Sequence, residues 1–499
     1  MRVAAGQAVH RDFYYQYGPA NIYLLAALFK LFGQSVLIER TLWIVEAASM
    51  VAVVFILLDR FAGRKVALAT VIGCLLWPDA LSWLTLGMVS STWLIGTNFE
   101  RRISGKAAFL AGLLAGSTVL FRYDVGIAVA GAQIVLILAA AMMHERRVGL
   151  ALREGLRTLG PYLGGFAVLV GPLFIWYVAQ GILPGLVYDV LTYPSKYYYA
   201  GRNLPFPHLH RQNFEDVVVY VFPLLIGLSL FHVFHYWFGS HRRRSSDAAV
   251  PRWVGPVASF GLIAAIAYLK TLVRMGAGPL FLCAAPCLVL GAVLVACRQA
   301  FGLVSKTLIG VLLTLFAIGG VSSRWHDRRI QNLQGSSMAS WIFAHSTQAP
   351  YPPFNSWCND RNPLSKGFCF FDDNNRIQAI EYLESHTRPG ETLYVGLSHH
   401  DRIFVGDNVT YFATQRLPAV KWTQFDPFLQ NRADIQTQMI EDLERNRSPY
   451  VMLDAEFENA GEPNGSSVST GVHLLDDYIA SHYTFAARFG ELTILQRQQ

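Results

Sequence analysis

Apolar runs long enough to enter a lipid bilayer recur through the first two-thirds of this chain, and charged residues separate most of them. No other feature restricts the fold as much. Backbone N–H and C=O groups inside a bilayer must be satisfied within helices or a closed barrel. The runs lie near residues 35–61, 66–86, 87–99, 107–121, 125–143, 159–178, 217–238, 253–269, 279–297 and 307–321, the second interrupted by Pro78-Asp79. Together they predict about ten α-helical spans over residues 35–322. Composition agrees: of 499 residues, 53% are hydrophobic and only 15% charged, which excludes an ordinary soluble enzyme. The net charge of +7 is no nucleic-acid signal, because the basic residues sit in short connections between apolar runs.

Those connections choose an orientation. If the first span exits to the cytoplasm, five connections land there, holding Arg60/Arg64/Lys65, Arg101/Arg102/Lys106, Arg146/Arg147/Arg153/Arg157, Arg242/Arg243/Arg244/Arg252 and Arg298/Lys306. Each is basic, as the positive-inside rule requires. The outer side then receives residues 1–34, Arg122 to Asp124, the loop at 180–216, Arg274 and everything after residue 322. Residues 323–499 have soluble composition. Helices are predicted over 374–386, 435–446 and 472–482, and strands over 391–397, 449–453, 485–488 and 492–496, a small α/β domain. Ile377, Ile380, Tyr382 and Leu383 form the apolar face of the first helix. Cys74, Cys283, Cys287 and Cys297 fall in apolar runs and read as small core residues. Cys358 and Cys369 would pair if their region faces an oxidising compartment.

The stretch Arg11 to Arg40, RDFYYQYGPANIYLLAALFKLFGQSVLIER, gathers the most chemistry. A charged pair, Arg11-Asp12, leads into Phe13, Tyr14, Tyr15 and Tyr17. Gly18-Pro19 then opens a helix, and Gly33 closes it. A dozen apolar residues suit an interfacial or re-entrant helix better than a span. Arg122 and Asp124 abut apolar spans, where ionisable residues are costly and so are functional candidates; a plain ion pair or snorkelling explains them equally well. The 180–216 loop sets Tyr188, Asp189, Tyr193, Tyr197, Tyr198 and Tyr199 beside Lys196 and Arg202. Cations beside aromatic faces suit a phosphate with a sugar stacked nearby, and for any one tyrosine an interfacial belt is the plainer account. His399-His400-Asp401 lacks a specific metal-ligand spacing and reads as a solvated turn. Gly112 and Gly116 permit close helix packing.

The opening stretch RDFYYQYGPANIYLLAALFKLFG, closed by Arg40, resembles the first extracytoplasmic loop of bacterial polytopic glycosyltransferases of the C-type superfamily. These are the relatives of protein O-mannosyltransferases, aminoarabinose transferases and rhizobial lipopolysaccharide-core transferases. Tyr193-Pro194, Leu204-Pro205-Phe206-Pro207 and the α/β tail resemble the same group. The resemblance implies an α-helical polytopic membrane protein of the C-type glycosyltransferase fold with a C-terminal soluble α/β domain, in a bacterial inner membrane. It implies a polyprenyl-phosphate-linked sugar donor, a glycan, lipid or protein acceptor, and hexosyl or pentosyl transfer on the extracytoplasmic face, usually with inversion. A divalent cation serves some members; no metal ligands are assigned here. Asp12 is the expected catalytic or orienting carboxylate. Arg11, Tyr17, Arg122, Asp124, Lys196, Arg202 and Arg274 are the expected substrate-binding residues. Members of the superfamily begin with a transmembrane helix that delivers an acid, often Asp-Glu, to this loop; by the resemblance, either the true start lies upstream of Met1 or this protein lacks that helix and its acid. After Arg274, Met275-Gly276-Ala277-Gly278 stand where relatives often carry an acidic residue and a His. A non-enzymatic envelope scaffold or a transporter is the rival class, and the nearly apolar span interiors weigh against a transporter.

Overall fold

A computed structural model of the chain describes residues 1–77, 80–145, 147–209, 216–242, 250–275, 280–326, 374–402, 407–424, 426, 428–456, 458 and 461–498. The expected pairing of Cys358 with Cys369 lies outside them. The chain divides into two compact units. One comprises Met1–Leu42, Tyr177–Pro205 and Gln348–Gln499, and the other Trp43–Trp176 and Phe206–Thr347.

The helices in order are α1 (Ala20–Phe32), α2 (Val36–Ala62), α3 (Arg64–Leu75), α4 (Trp83–Thr97), α5 (Gly105–Phe121), α6 (Tyr123–His144) and α7 (Val148–Ala179). Then come α8 (Leu183–Val187), α9 (Tyr199–Arg202), α10 (Val217–Arg242), α11 (Val254–Thr271), α12 (Phe281–Ala296) and α13 (Leu303–His326). Among the described residues, α2, α6, α7, α10, α11 and α13 are long and apolar enough to cross a membrane, and α1, α5 and α12 are shorter apolar helices. The chain is a multi-pass membrane protein.

The run predicted over 66–86 is broken. Its helix stops at Leu75, and α4 starts where the Ser82 hydroxyl accepts from the Thr85 N–H while the Thr85 side chain accepts from the Ser82 N–H. That reciprocal cap starts a new helix after the interruption of the apolar pattern at Pro78-Asp79. The largest core of this second unit is built on Met50, Met88, Phe222, Phe260 and Leu290. α5 and α7 approach at glycines: a Cβ on Gly112 would lie 1.9 Å from the Tyr162 carbonyl oxygen, and one on Gly165 2.0 Å from that of Phe109. Between the helices, the Gln133 amide donates to Ser91 Oγ (2.7 Å) and accepts from the Tyr162 hydroxyl (3.0 Å). Glu46, also buried, is an ionisable group inside α2.

The first unit contains a five-stranded mixed sheet of order β2-β1-β3-β5-β4. Its strands are β1 (Thr392–Leu397), β2 (Leu417–Pro418), β3 (Tyr450–Asp454), β4 (Tyr483–Phe489) and β5 (Leu492–Arg497). β1 lies parallel to β2 and β3, with Val395 opposite Met452. β5 is antiparallel to β3 and β4, with Ile494 opposite Met452. Both central strands are buried along most of their length, as parallel strands covered on two faces must be. The covering helices are α14 (Asn374–His386), α15 (Val409–Thr414), α16 (Ala433–Asn446) and α17 (Leu474–His482). α14 buries Ile377, Ala379, Ile380 and Leu383, and α16 buries Ile435, Met439 and Leu443 one helical turn apart.

Candidate functional site

The opening segment is held in the first unit by a turn and a buried pair. The Asp12 N–H donates to the Ala8 carbonyl (3.0 Å), and Asp12 Oδ2 accepts from the Ala8 N–H (2.7 Å). The Arg11 guanidinium grips the same carboxylate at 3.0 and 2.9 Å. Its hydrogen bond, and then that from the Ala8 amide, hold the Asp12 carboxyl below the usual carboxylate range. Asp12 is therefore an anchored, weakly basic anion whose side chain is 30% exposed. Behind it, His10 adopts a left-handed φ of +70° and turns its ring inward. His10 Nδ1 lies 2.8 Å from Asp189 Oδ2, and the same oxygen accepts from the Tyr15 N–H at 3.1 Å. Both side chains are dry, at 0% and 1% exposure, and burial raises the Asp189 pKa. The backbone of His10 presses on Gly185, where a Cβ would lie 2.0 Å from the His10 carbonyl oxygen.

The region expected as an outer loop at 180–216 is largely helical up to Arg202. Between α8 and α9, Tyr188–Thr192 and Pro194–Tyr198 form successive π-turns. Each widened turn holds an extra residue, which gathers the tyrosines. Tyr193 is fully buried, edge-on to Tyr14 at 5.4 Å, and Tyr14 in turn packs against Trp422 at 5.8 Å. The Arg432 guanidinium donates to the Tyr188 hydroxyl (2.8 Å) and lies over the Tyr197 ring at 4.3 Å. The aromatic cluster is thus mostly core for the α/β domain.

The expected binding cations fare differently. Arg11 is engaged with Asp12, and Arg202 with Asp426 at 3.3 Å and Glu462 at 4.0 Å. Burial raises the Asp426 pKa, against the pull of Arg202. Lys196 is exposed on the second π-turn. Tyr17 stands edge-on to Tyr15 at 6.0 Å. In the second unit, Arg122 pairs with Asp124 (3.0 Å), and Asp124 also takes Lys270 (2.8 Å), a partner 146 positions away that sequence spacing does not reveal. Arg274 is half-buried at the end of a 3-10 turn, Leu272–Arg274. The solvated turn expected at His399-His400-Asp401 is corrected. His400 is 1% exposed and bridges the Tyr394 hydroxyl (2.6 Å) and Asp476 (2.6 Å). No group of three metal-ligating side chains occurs among the described residues.

Sequence reasoning left Arg2 and Arg40 out of the binding set. Both line a cavity of about 690 Å³ in the first unit, walled by one face of α1, the start of α2 and the α15 helix. Arg2 donates to the carbonyls of Val420 (3.2 Å) and Asp12 (2.7 Å) and to Gln7 (2.5 Å). None of these hydrogen bonds ends on a carboxylate, and burial brings the Arg2 pKa down to about 10. Arg40 is paired with Glu39 at 3.2 Å, yet its Nε is buried without a partner.

No family model and no curated protein matches the chain. Among solved structures, ArnT from Cupriavidus metallidurans bound to undecaprenyl phosphate is similar at 13% identity. It covers 99% of this chain and 91% of its own, with a TM-score of 0.53. The same protein in its apo state is similar at 12% identity, 97% and 88% coverage and a TM-score of 0.51. The chain has the fold of the C-type membrane glycosyltransferases, with a C-terminal α/β domain.

Proposed function

We propose that this protein is a membrane glycosyltransferase that moves a sugar from a polyprenyl-phosphate donor to a glycolipid, polysaccharide or protein acceptor on the extracytoplasmic face. One observation carries the reading: the likeness to a protein holding undecaprenyl phosphate runs over nearly the whole chain. The basic connections between spans support the orientation.

The acceptor hydroxyl oxygen attacks the anomeric carbon. The bond from that carbon to the phosphate oxygen breaks, and its electron pair leaves with the lipid phosphate. The sugar passes through an oxocarbenium-like state. Inversion follows if attack comes opposite the phosphate. The hydroxyl proton passes to the departing lipid phosphate or to water, and the leaving phosphate needs cations more than an acid. Asp12 is the proposed carboxylate. With its pKa held down and both oxygens engaged, it is better suited to orient the acceptor or donor than to hold a proton. In the first unit, Lys196, exposed on its π-turn, is the proposed mobile cation and Arg11 and Arg202 are the proposed fixed ones, with Tyr17 as a further proposed contact; in the second unit, Arg122, Asp124 and Arg274 are proposed substrate-binding residues by themselves. The experiment is Asp12→Asn in the full-length protein, with sugar transfer from polyprenyl-phosphate donors measured in membranes. Loss of transfer with normal protein level supports the role; wild-type transfer removes Asp12 from the mechanism.

A further inference from the structure

Where α2 and α4 end and α11 begins, the second unit holds a cleft of about 230 Å³. Leu57, Arg60 and Phe61 line it from α2 at i, i+3, i+4, and Trp93 and Thr97 line it from α4 at i, i+4. Glu100, in the turn after α4, and Arg252, just before α11, complete the lining. The charged residues sit at the helix ends, and Leu57 and Trp93 lie about a turn deeper. That is the order in which a bilayer presents headgroup and chain. Phe61 stands edge-on to Trp93 at 5.4 Å, and Trp93 is only 8% exposed, so the floor of the cleft is aromatic and fixed. α2 is long and apolar enough to cross a membrane, and its Ile56, next to Leu57, is 47% exposed. The cleft therefore adjoins a lipid-facing stretch.

The charges in this cleft are loosely held. Arg60 makes no ion pair or hydrogen bond among the described residues. Glu100 meets Arg252 only at 3.6 Å and Arg101 only at 3.9 Å, both beyond hydrogen-bond distance. Those two arginines are 81% and 80% exposed, whereas the Glu100 side chain is 17% exposed. A carboxylate enclosed to that degree ordinarily accepts hydrogen bonds, and Glu100 accepts none among the described residues. A lone anion entering the cleft would meet Glu100, and a lone cation would meet Arg60 and Arg252. A zwitterion suits both: its phosphate goes to the guanidiniums and its ammonium to the carboxylate.

We propose that this cleft binds one phospholipid of the phosphatidylethanolamine type, with Arg60 and Arg252 on its phosphate, Glu100 accepting from its ammonium, and its chains running along α2 past Leu57 and Ile56. The primary amine decides the class. Its N–H groups reach the carboxylate, whereas the trimethylammonium of phosphatidylcholine has none to donate and phosphatidylglycerol carries no positive charge. The site rests on the chain being a multi-pass membrane protein and not on sugar transfer. In the proposed orientation it draws its lipid from the cytoplasmic leaflet.

The test uses the full chain in nanodiscs of equal parts phosphatidylethanolamine, phosphatidylglycerol and phosphatidylcholine, with the retained lipids counted by class in native mass spectrometry. Thr97→Trp fills the cleft from α4, and Ala52→Trp puts the same bulk on the exposed face of α2. Lipid kept by Ala52→Trp and lost from Thr97→Trp is the cleft's own. It is expected to be phosphatidylethanolamine, by roughly tenfold over either other class. Glu100→Gln should abolish that preference in favour of phosphatidylglycerol, and Arg60→Gln should weaken retention of all three roughly fivefold. Both exchanges fall at helix ends and are read against wild type, so they carry the test if Thr97→Trp does not fold. Equal retention in the two folded Trp variants overturns the proposal, as does a phosphatidylethanolamine preference that survives Glu100→Gln. Phosphatidylglycerol preferred by wild type overturns it too, because the arginines alone would then choose the ligand. Displacement by millimolar glycerophosphoethanolamine also overturns it, because the chains would then contribute nothing.

Discussion

Replacing Asp189 by Ala should release the opening segment that carries Asp12. The carboxylate accepts from the Tyr15 amide and meets His10 Nδ1, and neither His10 nor Asp189 touches solvent. A buried donor left without its acceptor costs about 1–3 kcal/mol, and a buried charged pair broken on one side costs about 3–5 kcal/mol. The two ranges meet at about 3 kcal/mol. The loss falls on local opening of the turn, which hydrogen exchange reads directly. Exchange of the Tyr15 amide should accelerate roughly 100-fold in Asp189→Ala. Asp189→Asn keeps an acceptor and should give roughly a tenfold acceleration or less. Adding His10→Ala to Asp189→Ala should cost little more, because the pair is already broken. An exchange rate in Asp189→Ala within about threefold of wild type would refute the view that this pair fixes the segment.

Other consequences are separable. In the membrane core, Gln133→Leu loses bonds to Ser91 and Tyr162 and should destabilise the folded protein by about 1–2 kcal/mol, measured by steric trapping in bicelles; no change would mean the amide is better solvated elsewhere. Gly112→Ala drives a Cβ into the Tyr162 backbone, whereas Gly131→Ala meets nothing within 4 Å. The first should cost about 1–3 kcal/mol or more and the second little, by the same assay, and equal effects would contradict the close approach of α5 and α7. Asp426 has a folded pKa raised above the ordinary 3.8. Its contribution to stability is therefore fully present below about pH 4 and is lost as pH rises through the raised value. The urea midpoint of wild type relative to Asp426→Asn should fall over that window, and a rising difference would reverse the assigned sign.

Period and composition made much of the architecture readable. Residues 374–386 were predicted as a helix and form α14, because Ile377, Ile380 and Leu383 repeat at the helical period with no Gly or Pro between them. The strands at 392–397 and 450–454 were readable as short apolar runs between polar turns. β2, two residues long, gave no pattern to detect, nor did the six-residue helix before it. The π-turned stretch 188–198 looked like a loop because widened turns break the 3.6-residue period and leave tyrosines on every side. At the candidate site, Arg11 with Asp12 and Arg122 with Asp124 were visible as near neighbours. Asp189 with His10 and Asp124 with Lys270 were not. Those pairs join residues far apart in the chain, and only the fold brings them together. Arg40 was visible as a charge at a helix start, but nothing in a linear pattern announces an unsatisfied Nε.

The most direct measurement is of the lipid product. Full-length protein in liposomes would be incubated with undecaprenyl-phosphate-linked sugars and envelope glycolipids, and the lipids resolved by mass spectrometry. The account predicts free undecaprenyl phosphate released in step with sugar joined to an acceptor. Folded protein that leaves every such donor intact would contradict it.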